Sequence, residues 1–154
     1  MKNTDFKKDL VIVVVLIIIT ALFSLADFST ISVKPNVFIV VPIVAALLIE
    51  SWYIFLGFML AETLLLKFTP FLIPEYGVVF ILGLISFLIS KFFIFRKILV
   101  VRVSLVFFIQ VAFWISLQAI GQIWSLVFLL EFIYNIIIEE LLFGFGIWLK
   151  KKFS

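Results

Sequence analysis

The sequence predicts an all-α membrane protein, a six-helix transmembrane bundle with both termini cytoplasmic. Three observations predict it. The first is an apolar excess: 66% of the 154 residues are hydrophobic and 14% charged, against roughly 45–50% and about 25% in soluble domains. A chain this short has too little interior to hide that excess. The second is that the apolar residues fall into six runs separated by charge or by helix breakers. The third is the one-sided placement of Lys and Arg. Together they exclude a soluble globular domain, a disordered chain and a nucleic-acid-binding module, despite a pI of 9.3. The absence of Cys and His excludes disulfides, thiolate chemistry, zinc sites and imidazole acid–base work.

The first span is expected at 10–26. It is rich in β-branched residues that favour strand in water, but lipid forces the backbone to satisfy its own hydrogen bonds, so helix is expected. Ser24-Leu25-Ala26 could pass for a small-x-small processing site. Asp5 and Asp9 dilute the basic start, and the rest of the chain is equally apolar, so an uncleaved helix is expected. Residues 27–36 are polar enough for a loop, and Pro35 suits a first helical turn. Spans 37–50 and 52–67 follow, divided only by Glu50-Ser51. A single helix over 35–68 would reach about 51 Å, against a hydrocarbon core of about 30 Å. Residues 68–77, with Pro70, Pro74 and Gly77, predict a loop. The remaining spans are expected at 78–95, 101–120 and 123–149, making one integral membrane domain over 1–154.

Charge placement tests that count. With a cytoplasmic start, six spans put Lys2, Lys7, Lys8, Lys91, Arg96, Lys97, Arg102 and Lys150 to Lys152 inside. Only Lys34 and Lys67 then lie outside, ten against two, as the positive-inside rule expects. Five spans would turn the Lys91 to Arg102 cluster outward. Trp52, Tyr53 and Trp148 fall near the inner interface and Tyr76 near the outer, where amphipathic rings prefer to sit.

No chemistry-bearing motif stands out: there is no phosphate loop, metal-ligand cluster or nucleophile–base pair. No catalytic residue, cofactor or metal site is therefore expected. The informative residues are those that lipid should reject. Glu62 lies mid-span, where a charge costs at least about 2.5–3.5 kcal/mol, so it should face protein, either as a partner- or ligand-binding carboxylate or as a structural one. Glu131, Asn135 and Glu139 recur at i, i+4 and i+8 and form a polar stripe on the last helix, with packing glue weighed against a ligand site. Glu139 and Glu140 fall near the depth of Arg102 and Lys91, which suggests a buried ion pair. Glu131 falls near the level of Glu62, which suggests a shared proton, a cation or a partner's Lys or Arg between them. Gln110 and Gln118 share a face of the fifth helix. Gly57 with Ala61, and Gly83 with Ser86 and Ser90, form small-residue pairs suited to close helix packing.

Several of these residues resemble a family. Lys34-Pro35-Asn36 opening a short apolar helix is similar to the bacterial rod shape-determining protein MreD. So are Gly57 with an acid five residues on, Glu62 in place of the Asp usual there, and the last helix with Phe132-Ile133-Tyr134-Asn135 and its basic end. The likeness spans roughly 34–153. It implies a non-enzymatic scaffold of the bacterial inner membrane that binds an MreC-like partner and helps organise peptidoglycan synthesis and cell elongation. It also implies a fold like that of the S components of energy-coupling-factor transporters. An S component is the alternative function: it would capture a small vitamin from outside and dock on a transporter module, with Glu62, Glu131 and Gln118 lining its pocket. Ala21 followed by Leu25, where an Ala-xxx-Ala docking pair is expected, speaks against it. Otherwise the expected partners are lipid and a protein, with no nucleic acid.

Overall fold

The computed structural model describes residues 3–25, 36–66, 73–92, 98–116, 123 and 125–153. They form six helices, α1 (Asn3–Leu25), α2 (Val37–Leu48), α3 (Trp52–Leu66), α4 (Ile73–Phe92), α5 (Leu99–Ser116) and α6 (Leu126–Lys152). The described residues contain no strand. Among them, α5 alone is long and apolar enough to cross a membrane; Val37–Leu48, Trp52–Leu65 and Gly77–Phe92 are apolar but shorter.

The architecture is a ring around an axle. α2 touches all five other helices, and every residue from Val37 to Ile49 is buried. The others touch their neighbours in the order α1, α3, α4, α5, α6 and back to α1. A helix that is apolar on every side must be enclosed, and the run Val37-Phe38-Ile39-Val40-Val41-Pro42-Ile43-Val44 has no polar face to turn outward. The ring helices have two faces, so they can surround it.

The breaks follow local chemistry. Ile49, Glu50 and Ser51 are non-helical, which separates α2 from α3. Helix α4 starts at Ile73, five residues before its expected start, so the loop assigned to 68–77 is too long. Pro74 opens this helix, because a proline in the first turn sacrifices no intrahelical N–H bond; residues 68–72 lie outside the described residues. Helix α6 starts at Leu126, where Ser125 caps it by accepting from the Phe128 amide at 3.2 Å, and runs through Lys152. Lysines at a helix C-terminus complement its dipole.

Two glycines set close approaches. A Cβ on Gly83 would overlap the side chain of Met59, and one on Gly146 would overlap Leu48. Ser86 and Ser90, one and two turns on from Gly83, are buried on the same helix. Gly57 behaves differently from its expected role with Ala61. It is exposed, and a Cβ there would meet nothing within 4 Å, so among the described residues no helix uses the room it leaves. Gly146→Val should therefore destabilise the fold by about 1–3 kcal/mol, the usual cost of overpacking. Gly57→Ala should raise stability slightly, by up to about 1 kcal/mol, through helix propensity alone. Thermal unfolding followed by circular dichroism checks both.

Candidate functional site

The buried polar side chains lie in layers along α2. At one end is the Ile49-Glu50-Ser51 turn. Asp9 of α1, 2% exposed, accepts from the Glu50 and Ser51 amides through one oxygen, at 3.0 Å each. It thereby satisfies the two amides of the turn that leads into α3. Lys150 of α6 lies 3.5 Å from the other Asp9 oxygen and 3.7 Å from Glu50. Lys91 of α4 donates to the carbonyls of Ile49 and Glu50 at 3.1 and 3.3 Å, capping α2. Its ammonium also stands 4.7 Å from the Phe87 ring centre, and Phe87 stacks on Phe55 at 4.3 Å. Ser90 lies 2.7 Å from the Ala46 carbonyl and donates toward it. Three helices thus supply the polar partners that a single turn needs.

The contacts at this turn bring the start of α1 and the ends of α4 and α6 to one end of the ring. Lys7, Lys8, Lys91 and Lys150 to Lys152 belong to those helix ends, so that end is basic.

On the α5–α6 side, Arg102 is 6% exposed and reaches both oxygens of Glu140. Its Nε bonds Glu140 at 3.2 Å and lies 3.3 Å from Glu139. Among the described residues neither Glu139 oxygen has a directed hydrogen bond, so charge holds that carboxyl beside the guanidinium. The Phe143 ring lies 4.2 Å from the guanidinium carbon. On the α1–α3 side, Glu62 accepts from the Thr20 hydroxyl at 2.9 Å, while its second oxygen has no partner among the described residues. Leu16 O lies 3.1 Å from that same hydroxyl.

At the far end of α2, the Asn36 amide donates to Asn135 at 2.8 Å. The Asn135 side-chain nitrogen donates to Gln110 at 3.1 Å, whose own nitrogen lies 3.4 Å from the Phe128 carbonyl. Trp114 donates its indole N–H to Glu131 at 3.0 Å.

All four residues singled out as polar intruders, Glu62, Glu131, Asn135 and Glu139, are therefore buried. The stripe of α6 faces inward as one unit with Phe128, Phe143, Gly146 and Leu149. Glu62 does not join it. Thr20 serves Glu62, while Trp114 serves Glu131, so among the described residues the two carboxyls have separate neutral donors. Lys91 likewise caps α2 instead of pairing with the α6 acids. Gln118 and Gln122 lie outside the described residues. No group of three or more acidic side chains among the described residues could hold a metal ion. The contacts of Asp9, Thr20 and Trp114 and the pairing of Lys150 with Asp9 were missed from sequence, since their partners lie on other elements. No family model, curated protein or solved structure matches the chain.

Removing Asp9 strands two amides and takes one of its acidic partners from Lys150. Asp9→Ala should cost about 1–3 kcal/mol, and Asp9→Asn, which keeps one acceptor oxygen, should cost less. A double-mutant cycle of Asp9→Ala with Lys150→Ala should give a coupling of about 0.5–3 kcal/mol. Arg102→Leu, which leaves Glu139 without its counter-charge, should cost about 3–5 kcal/mol, and adding Glu139→Gln should recover part of the loss. Denaturant unfolding of each variant measures these differences.

Proposed function

We propose that the chain is a polytopic protein of the bacterial inner membrane, with six spans and both termini cytoplasmic, that serves as a non-enzymatic scaffold similar to MreD. One observation carries the membrane part: polarity is arranged inside out. Asp9, Glu62, Arg102, Gln110, Glu131, Asn135 and Glu139 are all buried, while Leu10, Val14, Ile18 and Leu22 form an exposed apolar stripe along α1. Leu60 and Leu64 of α3 and Ile137 and Leu141 of α6 are exposed too. In water such a surface would drive association; in lipid it is the expected exterior. The basic end of the ring supports a cytoplasmic assignment for the α1 start and the α6 end.

The scaffold part rests on how the buried polar groups are used. They cap helix ends and bridge neighbouring helices, which fixes one arrangement of the ring. An MreC-like partner helix is expected along α3, where Gly57 shares an exposed face with Tyr53, Leu60 and Leu64 and leaves room for a close crossing. The S-component alternative gains less support, because the cavity found beside α2 has an apolar wall.

Fusions of green fluorescent protein and of alkaline phosphatase to each terminus test the topology. Fluorescent, phosphatase-inactive fusions at both ends are expected, and an active phosphatase at one end would mean an odd number of crossings. Co-purification with an MreC-like single-span protein tests the scaffold. Gly57→Ile should weaken that capture about tenfold, a difference of about 1.4 kcal/mol, with the melting temperature preserved. Recovery of a vitamin or an ATP-binding subunit instead would favour the transporter reading.

A further inference from the structure

The end of the ring where α1 begins and α6 finishes carries more positive charge than its own contacts use. Lys150 lies 3.5 Å from Asp9 and 3.7 Å from Glu50. That contact sets Lys7 and Lys8, directly before Asp9, at the same end as Lys151 and Lys152, directly after Lys150. Lys7, Lys151 and Lys152 are exposed and Lys8 is half-buried. None of the four makes an ion pair among the described residues. Like charges brought to one end repel, and an anion from outside relieves that repulsion.

The face of α6 that leads to these lysines is graded in the same direction. Leu141, Phe145, Trp148 and Lys152 recur at i, i+4, i+7 and i+11, which is one helical face, and all four are exposed. The Phe145 and Trp148 rings stack with centres 5.7 Å apart and planes inclined by 18°. The Lys152 ammonium stands 5.1 Å from the Trp148 ring centre. Over about 16 Å of helix the face passes from aliphatic to aromatic to cationic. An acidic soluble partner would match the lysines and leave the apolar part to water. An amphiphile with an anionic head matches both parts.

We infer that this α1–α6 end binds an anionic phospholipid, with its phosphate among Lys7, Lys8, Lys151 and Lys152 and an acyl chain along Trp148, Phe145 and Leu141. The inference rests on the membrane reading above. Lys150 stays with Asp9 and Glu50, so the contacts that hold the ring and those that hold the lipid use different lysines. Bulk lipid wets any exposed helix, so the distinguishing property is preference: one headgroup class, held at one place. Each lysine near an anionic headgroup supplies a preference of about fivefold.

The test places the photo-crosslinker p-benzoylphenylalanine at Phe145 of the full chain, in bilayer discs holding phosphatidylglycerol and phosphatidylcholine in equal amounts. The lipids captured on illumination are identified by mass. Phosphatidylglycerol is expected to exceed phosphatidylcholine by at least about fivefold, the share of one lysine. The same probe at Leu129, exposed toward the other end of α6, should capture the two lipids equally. Lys7→Gln, Lys8→Gln, Lys151→Gln and Lys152→Gln together should bring position 145 to parity. Both leaflets of a disc have one composition, so a change of orientation in that variant does not alter the reading. Where the fourfold variant fails to fold, raising salt from about 0.05 to about 0.5 M on the chain with its lysines should lower the excess, because exposed charges are screened. Equal capture of the two lipids at position 145 would overturn the site. So would an excess that survives both the substitutions and the salt, or one that is as large at position 129. Recovery of the chain in the soluble fraction of cells would overturn the membrane reading and the site with it. A membrane-embedded chain with equal capture overturns the site only.

Discussion

A helix buried on every side still begins with four unpaired amides and ends with four unpaired carbonyls. Enclosing α2 in a ring therefore raises the question of what serves its ends, and polar side chains of the other helices answer it. Lys91 and Ser90 of α4 reach the carbonyls at its C-terminus, and Asp9 of α1 takes the Glu50 and Ser51 amides of the turn directly after. Asn135 of α6 takes the Asn36 amide at the start. Each contact crosses from a ring helix to the axle or to the turn that ends it, so satisfying these groups also fixes the azimuth of its neighbours. Apolar packing alone would leave a smooth cylinder such as α2 free to rotate or slide. The caps remove that freedom, because a shift of one residue would strand several backbone groups at once.

The same constraint sorts the remaining buried polar groups by neighbour. Glu62 and Thr20 join α3 to α1, Arg102 with Glu139 and Glu140 joins α5 to α6, and Trp114 with Glu131 joins the same pair at the other end. All are adjacent in the ring. None requires reach across α2, which would have to be displaced to let two distant side chains meet. This is why Glu62 and Glu131, similar in depth by helix counting, do not share a partner. Depth along the bundle is one coordinate; position around the ring is the other, and a carboxyl finds donors only where both agree.

How far this was legible in the sequence divides along the same line. Features fixed by one segment were readable. Glu50-Ser51 interrupts an apolar run too long for one helix, and the i, i+4, i+8 spacing of Glu131, Asn135 and Glu139 puts them on one face of α6 whatever that face meets. Pro74 was misread because a proline is a breaker inside a helix and a starter in its first turn, and local sequence does not say which. Gly57 was misread because a small residue beside a polar one suits packing, while whether a neighbour arrives depends on the ring. Asp9 registered only as diluting the basic start, Lys150 as a charge for counting sidedness, and Lys91 as one of those charges and a candidate partner for the α6 acids. Their contacts at the turn span about forty residues or more in sequence, and periodicity carries no information about such pairs.

Element length explains why the two ends of α2 use different chemistry. Twelve residues rise about 18 Å, well short of a hydrocarbon core of about 30 Å. If one end of α2 lies at an interface, the other must stop inside the apolar layer. Trp52 and Tyr53, both exposed directly after the Glu50-Ser51 turn, are the residue types that settle at headgroup level, so in the proposed membrane arrangement this end would be the interfacial one. Ions would be tolerable there: Asp9 and Lys91 meet the backbone groups of the turn, and Lys150 pairs with Asp9 and Glu50. The Asn36 end would then lie deep, and its partner fits that placement: Asn135 sits nine residues inside the Leu126 start of α6, about 14 Å along that helix. At that depth non-helical backbone is tolerated only where protein supplies its partners, and charged caps would be costly. The Asn36 amide is met by Asn135, itself bonded to Gln110, amides that donate and accept without carrying charge, while the Glu131 carboxyl of the same layer accepts from Trp114 on α5. In the proposed arrangement a short axle is thus held by ionic partners at the end nearer water and by amides at the other.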